Sequence, residues 1–346
     1  MKKFRSHSSK NTTSDNPLPE LSAFKVPFFQ SSAIVKLYSG TEEVKVIVCP
    51  ISASSAKFEI GHILIQLFSG RGLAKYFTTR AIIIHGPVLY SETSGEEFGR
   101  ALKLLKRTLP WYTLFIQFRN LSIEESLAHA FRREGFRFYD RLNLCKRISP
   151  LEDAWNELSE SKRRQIRQSR TNGLEMIRHP ARSEVLAFYN ILQGLYKRIV
   201  KPLPSVAFFM KFYELSLSGE IKGFISLARY RGKIVGGIVC PYDNTGRVYE
   251  YYVAAMDKEL AAFKVYPSVA LTWEAMQRGS ELGCHVFDFM GLGVPTKPYG
   301  VRDFKLRFGG KVENPGRWNK IHNPVLYFLT EIAYNIKFGI QKILLF

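Results

Sequence analysis

The sequence predicts an α/β protein of two tandem domains, and three observations support that prediction. The chain has 346 residues. This is longer than a single hydrophobic core usually supports and suits two domains. Hydrophobic residues make up 46% of it and aromatic residues 14%, which is ample apolar surface for folded cores. Strand-like and helix-like segments also alternate along both halves. We therefore expect a globular chain with disorder only at its ends.

A first domain is predicted over residues 21–149, after a flexible basic tail over residues 1–20. Ser94 is the predicted N-cap of a helix that stops before Pro110. A second helix, residues 123–133, ends at Gly135, because glycine readily adopts the left-handed conformation found after a helix. The predicted strands cover residues 44–48, 60–68, 81–84, 113–118 and 136–144. This alternation is typical of an α/β domain.

A second domain is predicted over residues 150–320, followed by a C-terminal amphipathic helix over residues 321–346. It begins with helices and continues as an antiparallel meander that turns at Arg231, Gly232 and Lys233. The predicted helices cover residues 151–170, 183–200, 208–216 and 268–282. The predicted strands cover residues 224–230, 234–241, 247–255 and 286–290. The order is helix, helix, three strands, helix, strand.

Charge and cysteine usage limit the class of function. The 50 Lys and Arg residues against 30 Asp and Glu give a net charge of +20, which attracts nucleic acid, nucleotide-linked substrates or an anionic membrane. A uniformly basic surface unrelated to any site is the alternative. Four widely separated cysteines predict neither a zinc site nor a disulfide framework. The tail lacks the apolar stretch of a secretion signal, so a cytoplasmic protein is expected. Peripheral contact with the inner face of the membrane stays open.

The C-terminal segment has an apolar stripe with two interpretations. The stripe recurs at helical spacing and consists of Val325, Phe328, Leu329, Ile332, Ile336, Ile340 and Ile343. A helix packed on its own domain explains it. Peripheral contact with an anionic membrane, with lysines near the headgroups, explains it as well. No run of about 18 uninterrupted apolar residues exists, so a membrane span is not expected.

An ordered series of motifs resembles the FemAB family, which is built from two tandem GNAT-like domains with mixed twisted sheets flanked by helices. The motifs are HGPVLY (85–90), SKRRQIRQSRTNG (161–173), RYRGKIVGGIV (229–239), CHVFDFMGLG (284–293) and DFKLRFGGKV (303–312). The resemblance spans most of residues 30–318. It implies an acyltransferase that moves amino acids from aminoacyl-tRNA, or acyl groups from other donors in sister branches, to peptidoglycan precursors. No bound cofactor is implied, since the acyl donor is a co-substrate.

Two departures from relatives bear on the donor. The long helical hairpin that some FemAB members insert in the second domain is absent, which weakens the case for charged tRNA. The Arg/Gln-x-x-Gly-x-Gly/Ala loop with which acetyl-CoA enzymes hold pyrophosphate is also absent from the second half, and QLFSGRG (66–72) is an imperfect match in the first half. The donor therefore stays open between aminoacyl-tRNA and acyl-CoA. The implied acceptor partner is a nucleotide- or lipid-linked envelope precursor.

Cations supply the candidate binding residues. Arg163, Arg164 and Arg167 lie in the basic helix and are predicted to bind substrate phosphates, since guanidinium groups match that geometry; a solvated helix face is the alternative. Arg198 is assigned the same role. Lys258, Lys264 and Ser268 precede or begin the helix over residues 268–282, where free amides attract the negative charge of a donor. A simple helix start signal explains this segment equally well.

The candidate catalytic residues follow in the last motifs. Residues 303–310 alternate between apolar and basic side chains and predict a strand whose polar face carries Lys305 and Arg307, and Arg307 is a candidate substrate-binding residue. By resemblance, Lys305 borders the acceptor site and offsets oxyanion charge. Asp288 is a candidate general base, and Tyr299 and Tyr251 are candidates to line the cleft. Surface or packing roles are the alternatives for each.

The predicted reaction is direct transfer of an aminoacyl or acyl group to an amine, because positioning supplies much of the rate gain and no catalytic nucleophile is evident. We expect Arg167 and Lys305 to share a positively lined groove between the two halves. Two other functions stay open. One is an acyl-CoA-dependent N-acyltransferase for an exopolysaccharide or small-molecule amine. The other is a non-catalytic module that binds RNA or an anionic membrane.

Overall fold

The computed structural model describes residues 25–42, 44–53, 59–121 and 123–338. The predicted tail over residues 1–20 and the last residues of the C-terminal helix, 339–346, lie outside the described residues.

The first half has the mixed α/β character that its sequence predicts. Its helices are α1 (Ser32–Tyr38), α2 (Lys75–Thr78), α3 (Gly95–Thr108) and α4 (Glu125–Arg133). Its strands are β1 (Val44–Ser52), β2 (Glu59–Phe68), β3 (Arg80–Ile84), β4 (Val88–Leu89), β5 (Phe115–Arg119), β6 (Arg137–Tyr139) and β7 (Asn143–Arg147). Ser94 caps α3 as predicted, in a reciprocal capping box with Glu97.

The second half begins with helices and continues as a meander. Its helices are α5 (Leu151–Asn156), α6 (Glu160–Thr171), α7 (Arg182–Arg198), α8 (Val206–Leu217), α9 (Asp257–Leu260), α10 (Pro267–Glu281), α11 (Gly300–Leu306) and α12 (Pro324–Phe338). Its strands are β8 (Leu174–Ile177), β9 (Gly223–Tyr230), β10 (Lys233–Pro241), β11 (Arg247–Tyr249), β12 (Tyr252–Ala255), β13 (Val286–Asp288), β14 (Lys311–Glu313) and β15 (Arg317–Ile321). The β9–β10 hairpin turns at Arg231 and Gly232, both with positive φ, as a two-residue turn of this hand requires.

The two halves exchange strands. The first sheet has the order β1-β2-β3-β5-β15-β6, with β4 paired to β2, and the other sheets have the orders β12-β10-β9-β8 and β11-β13-β7-β14. Strand β15 comes from the end of the predicted second domain, yet it lies between β5 and β6 of the first half. Strand β7 from the first half lies between β13 and β14 of the second. The predicted boundaries at residues 149 and 320 stay predictions, and the sheets cross both of them.

Four sequence-based assignments of secondary structure differ from the structure. Residues 303–310 do not form a strand, because Gly300–Leu306 is the helix α11. Phe304 and Phe308 are four residues apart, which is the helical repeat, and their ring centroids lie 5.4 Å apart. The predicted strands over residues 136–144 and 247–255 are each divided in two, into β6 and β7 and into β11 and β12, and the members of each pair lie in different sheets. The predicted helix over residues 151–170 is divided into α5 and α6.

The C-terminal helix α12 packs through a different face from the predicted stripe. Tyr327 and Thr330 are buried, whereas Val325 is 69% exposed and Phe328 is 61% exposed. At the start of the helix, the Asn323 side chain accepts a hydrogen bond from the Leu326 amide. It also donates one to the Trp111 carbonyl, which links the helix to the first half. Nowhere in the described ranges does a helix combine the length and apolarity needed to cross a membrane.

Candidate active site

A cleft opens between the two halves where β11 and β13 separate. The two strands run parallel, and the last link between them is the Glu250 amide, which donates to the Asp288 carbonyl at 2.9 Å. The next amide, that of Tyr251, turns away to the Val239 carbonyl at 3.0 Å. The strands therefore diverge after Glu250, and a cleft of about 650 Å³ occupies the space between them. Asn120 and Arg141 of the first half complete its wall.

The lining of this cleft is strongly basic. Among the described residues that line it, the cationic ones are Arg141, Lys201, Lys297, Lys305 and Arg317, and the acidic one is Glu250. These side chains come from separate elements that the exchange of strands brings together. An anionic ligand is therefore favoured, since a cleft lined by one sign of charge concentrates the opposite sign.

Lys305 lies at the cleft wall, as the sequence predicts, but on a helix instead of a strand. From helix α11, the Lys305 ammonium donates hydrogen bonds to the Phe289 carbonyl at 2.5 Å and to the Gly291 carbonyl at 3.4 Å. The same nitrogen forms an ion pair with Glu250 Oε1 at 2.9 Å. Its side chain remains 12% exposed. The long contact to Gly291 is the weakest of the three, so this hydrogen is the one most readily redirected to a substrate.

Glu250 is a functional candidate that sequence reasoning missed. Its carboxylate is almost fully buried but lines the cleft, with Oε1 on Lys305 and Oε2 accepting the Thr272 hydroxyl at 3.4 Å. In the sequence it stands inside an apparently continuous strand, so no pattern separates it from a surface residue. Only the divergence of β11 and β13 gives it access to a ligand.

Aromatic side chains form another part of the wall. Tyr251 and Tyr299 line the cleft as predicted, and the Tyr251 and Tyr252 ring centroids lie 4.4 Å apart. Burial, then the neighbouring Tyr251 and Tyr299, raise the pKa of Tyr196 to about 12. The Tyr196 hydroxyl thus stays protonated at neutral pH and remains able to donate a hydrogen bond.

Asp288 lies behind the cleft instead of lining it. Its carboxylate is inaccessible to solvent and accepts from Asn143 Nδ2 at 2.9 Å, Arg247 at 2.9 Å and the Met290 amide at 2.8 Å. His85 Nε2, from the first half, is 3.9 Å away. Burial is the largest cause of the lowered pKa of His85. This buried network holds the loop that begins at Met290, while the predicted general-base role of Asp288 stays a prediction.

The arginines of α6 do not line this cleft. Arg163 donates to the Asn156 carbonyl at 3.0 Å, and the Arg167 guanidinium carbon lies 5.5 Å from the centroid of the Trp155 ring. Arg164 is exposed. The expected groove shared by Arg167 and Lys305 is therefore not this cleft. Arg198 and Arg307, also predicted to bind substrate, are exposed beyond its lining.

The predicted donor end of α10 is occupied by the chain itself. The Ser268 amide donates to Asp257 Oδ1 at 3.1 Å, and the Tyr266 amide donates to the Ser169 hydroxyl at 2.9 Å. The residue between them, Pro267, has no amide hydrogen. The Tyr266 and Ser268 amides are thus already satisfied at the end where a pyrophosphate would bind. The predicted donor contacts Lys258 and Lys264 are exposed nearby and outside the cleft lining.

Lys162 is a buried cation beside the candidate catalytic helix. Its ammonium lies 3.6 Å from the Phe304 ring centroid and 4.9 Å from that of Phe308, an arrangement that attracts a cation. Burial lowers its pKa to about 8. The contact ties α6 to α11, the helix that carries Lys305. For metals, no cluster of suitable ligands occurs within the described ranges.

A model of the GNAT acetyltransferase domain family matches residues 159–306. The second half contains a GNAT acyltransferase domain. The cleft, Lys305 and Glu250 all lie within or beside this GNAT domain. The chain is accordingly an enzyme of the transferase class, as the sequence predicted. No curated protein matches the sequence.

Solved structures support the tandem GNAT fold over most of the chain. A structure of FemX has a TM-score of 0.66 at 13% identity, covering 88% of this chain and 94% of that one. A C-terminal domain assigned to a lysylphosphatidylglycerol synthetase of Agrobacterium fabrum has a TM-score of 0.52 at 14% identity, covering 87% and 91%. A tandem GNAT protein from the clavulanic acid biosynthesis pathway has a TM-score of 0.50 at 8% identity, covering 82% and 85%. The FemAB-like fold predicted from the motifs is confirmed.

Proposed function

We propose that the protein transfers an aminoacyl or acyl group directly to an amine of a nucleotide- or lipid-linked cell-envelope precursor. The observation that carries the proposal is the Lys305–Glu250 ion pair of 2.9 Å in the wall of a basic cleft. It combines a cation for developing oxyanion charge with a carboxylate that can accept a proton. Both groups lie where the diverging strands of the GNAT domain admit a substrate.

The pair can perform each step of the transfer. The acceptor ammonium loses one proton to the Glu250 carboxylate, which passes it to solvent. The amine nitrogen then attacks the donor carbonyl carbon, and Lys305 stabilises the oxyanion that forms. When the ester C–O or thioester C–S bond breaks, the second proton of the nitrogen passes through Glu250 to the leaving oxygen or sulfur. No acyl-enzyme intermediate is required.

The charge of the cleft supports an acceptor that carries phosphate. Arg141, Lys201, Lys297 and Arg317 line it beside Lys305, far more positive charge than Glu250 can balance. The names of two structural neighbours, FemX and a lysylphosphatidylglycerol synthetase, are consistent with aminoacyl transfer to envelope molecules. A peptidoglycan precursor on a nucleotide or lipid carrier supplies both an amine and phosphates.

The donor is proposed to be aminoacyl-tRNA, with acyl-CoA as the alternative. The contact of Asp257 with the Ser268 amide places a carboxylate where a pyrophosphate would bind, which disfavours coenzyme A. Exposed cations on α6, including Arg164, suit an extended phosphate backbone outside the cleft. The GNAT domain match favours acyl-CoA, because such domains generally use it. Under that alternative the protein is an N-acyltransferase for an exopolysaccharide or small-molecule amine.

Contact with the inner face of the membrane is part of the proposal. The exposed Val325 and Phe328 of α12 lie on a helix that contacts α2. Helix α2 presents the exposed Phe77, and the exposed Leu73 lies in the short turn directly before it. Trp111, 65% exposed, adjoins the start of α12. Exposed apolar and aromatic groups on a basic protein are typical of peripheral binding to anionic lipid.

A transfer assay tests the function. The purified protein is incubated with UDP-linked muramyl pentapeptide and either charged tRNA or acyl-CoA, and the acceptor mass is followed. We expect mass gain with charged tRNA and no covalent acyl-protein. Thermal shift with coenzyme A separates the alternatives, because a ligand that binds only the folded state raises its melting temperature. Absence of transfer from both donor classes to any envelope amine would overturn the proposal.

A further inference from the structure

Two arginines stand directly opposite each other on neighbouring strands, and one of them, Arg317, lines the cleft. Arg119 ends β5, and Arg317 begins β15 as its Cα partner in the antiparallel register. Opposed residues of such a pair lie only about 4.5–5.5 Å apart at Cα, and like charges in this position destabilise a sheet. The repulsion between the two guanidinium groups therefore destabilises the sheet of the ligand-free protein. The two arginines meet only because β15 crosses from the second half into this sheet.

Neither arginine forms a salt bridge with a carboxylate of the described residues. The Arg119 Nε donates to Gln117 Oε1 at 2.5 Å, a neutral partner on its own strand. Burial, followed by Arg317 and then Arg80, lowers the pKa of Arg119. Burial, followed by Arg141, lowers the pKa of Arg317 to about 10. Arginine side chains stay protonated in proteins, so the two guanidinium groups are cations that crowd one another, with no carboxylate of the described residues paired to them.

We propose that Arg119 and Arg317 bind a phosphate or diphosphate group of the acceptor, with Arg141 at the rim. Guanidinium forks pair with phosphate oxygens through two parallel hydrogen bonds each. Two facing guanidinium groups can both hydrogen-bond to the oxygens of one phosphate group. A carboxylate has only enough oxygens to pair with one guanidinium in this way. The bound anion supplies the missing counter-charge. The inference rests on the proposed function, since Arg317 lines the same cleft as Lys305, where the acceptor amine must react.

The size of the site favours a small or lipid-linked molecule over nucleic acid. The cleft of about 650 Å³ falls in the range of small-molecule sites. Arg119 and Arg317 lie on strands inside a sheet. A stiff nucleic-acid duplex therefore reaches them less easily than it reaches the exposed side chains of α6. The source of the phosphate, a soluble nucleotide carrier or a lipid headgroup, is distinguished by the ligand used in the test.

Binding is measured without any transfer reaction, so that its failure is separate from failure of the proposed function. Titration calorimetry uses UDP, inorganic pyrophosphate, and vesicles of phosphatidylcholine with or without phosphatidylglycerol. We expect Arg119→Gln and Arg317→Gln each to weaken binding about tenfold or more, as loss of a charge-assisted fork implies. Arg317→Lys should restore part of it. The exposed Arg182, paired with Glu214, gives the matched control Arg182→Gln with unchanged binding.

Melting temperature distinguishes a ligand-binding arginine from one that only supports the fold, because replacing the latter should lower stability without ligand. Without ligand, Arg317→Gln should melt at or above the temperature of the unmodified protein, because it removes like-charge repulsion, and it should lose the stabilisation by pyrophosphate. Binding of UDP but not of phosphatidylglycerol supports a nucleotide carrier, and the reverse supports a lipid. Equal binding of pyrophosphate and UDP by both glutamine variants and the unmodified protein would overturn the proposal. So would the absence of binding to every phosphate ligand.

Discussion

The cations of α6 and those of the cleft differ in what they face. On α6, Arg163 donates to a backbone carbonyl, Arg167 and the buried Lys162 lie against aromatic rings, and Arg164 is exposed. At the cleft, Arg317 lines the wall and stands opposite Arg119 on the neighbouring strand, with no carboxylate of the described residues paired to either, and Lys305 is held beside Glu250. Charge that is solvated or locally satisfied is inexpensive at a surface. Charge that is gathered and left unneutralised inside a cleft indicates a ligand.

The difference suggests a division of labour between the two regions. Under the proposed function, the cleft binds the compact, phosphate-bearing acceptor and performs the transfer. The exposed α6 offers a surface for a larger polyanion, which charged tRNA would be. Variants of the two regions should therefore separate acceptor effects from donor effects.

The largest effect is expected for Lys305→Met. Loss of one oxyanion-stabilising group lowers kcat by about 10²–10³ in enzymes of known mechanism. Steady-state transfer to the acceptor measures it, with circular dichroism to verify folding. Lys36, an exposed lysine paired with Glu220 at 3.4 Å, gives the control Lys36→Met with an unchanged rate. A folded Lys305→Met protein with normal kcat would remove the cleft from catalysis.

The next effect is expected for Glu250→Gln, which keeps the shape but not the proton acceptor. We expect kcat to fall about 10²-fold, since general-base catalysis typically contributes 10²–10⁴-fold. The double variant with Lys305→Met should lose much less than the product of the single losses, because the two groups act as a unit. Strict multiplicativity would show that the two side chains act independently.

A smaller, donor-specific effect is expected on α6. Replacing Arg163, Arg164 and Arg167 together by alanine should raise KM for charged tRNA about fivefold or more at low salt, since each lost phosphate contact weakens polyanion binding. Acceptor KM should stay within about twofold under the same salt conditions. If acceptor KM rose and donor KM did not, the assignment of the two regions would be reversed.

The smallest effect concerns pH and the network behind the cleft. Burial lowers the pKa of His85, so the unfolded chain binds this proton at a higher pH than the folded chain does. Stability from neutral His85 is complete above its unfolded pKa of about 6.5 and is lost as pH falls below that value. Melting temperature should therefore drop between pH 7 and pH 5.5, and the drop should be smaller in His85→Asn. An identical drop in both proteins would show that other groups cause the acid sensitivity.

The sequence predicted what depends on local chemistry. The Ser94 cap, the β9–β10 hairpin and the alternation of strands and helices depend on neighbouring residues, and all three are confirmed. Lys305 was assigned by resemblance and Tyr299 as an aromatic candidate for the cleft wall, and both line the cleft.

What sequence reasoning missed depends on long-range placement. The exchange of β15 into the first sheet brings Arg317 beside Arg119, and no spacing in the chain indicates that pairing. Glu250 gains access to the cleft only because two strands diverge beside it. Conversely, the α6 run was conspicuous because its charges are adjacent in sequence, which is how a solvated helix face also appears.

Differential arginine labelling tests the central claim most directly. The protein is treated with phenylglyoxal, with and without UDP-linked muramyl pentapeptide, and modified sites are quantified by mass spectrometry. The account predicts that the precursor protects Arg141 and Arg317 in the cleft while Arg163 and Arg164 on α6 react as before. Protection of the α6 arginines, with unchanged labelling of the cleft arginines, would contradict it.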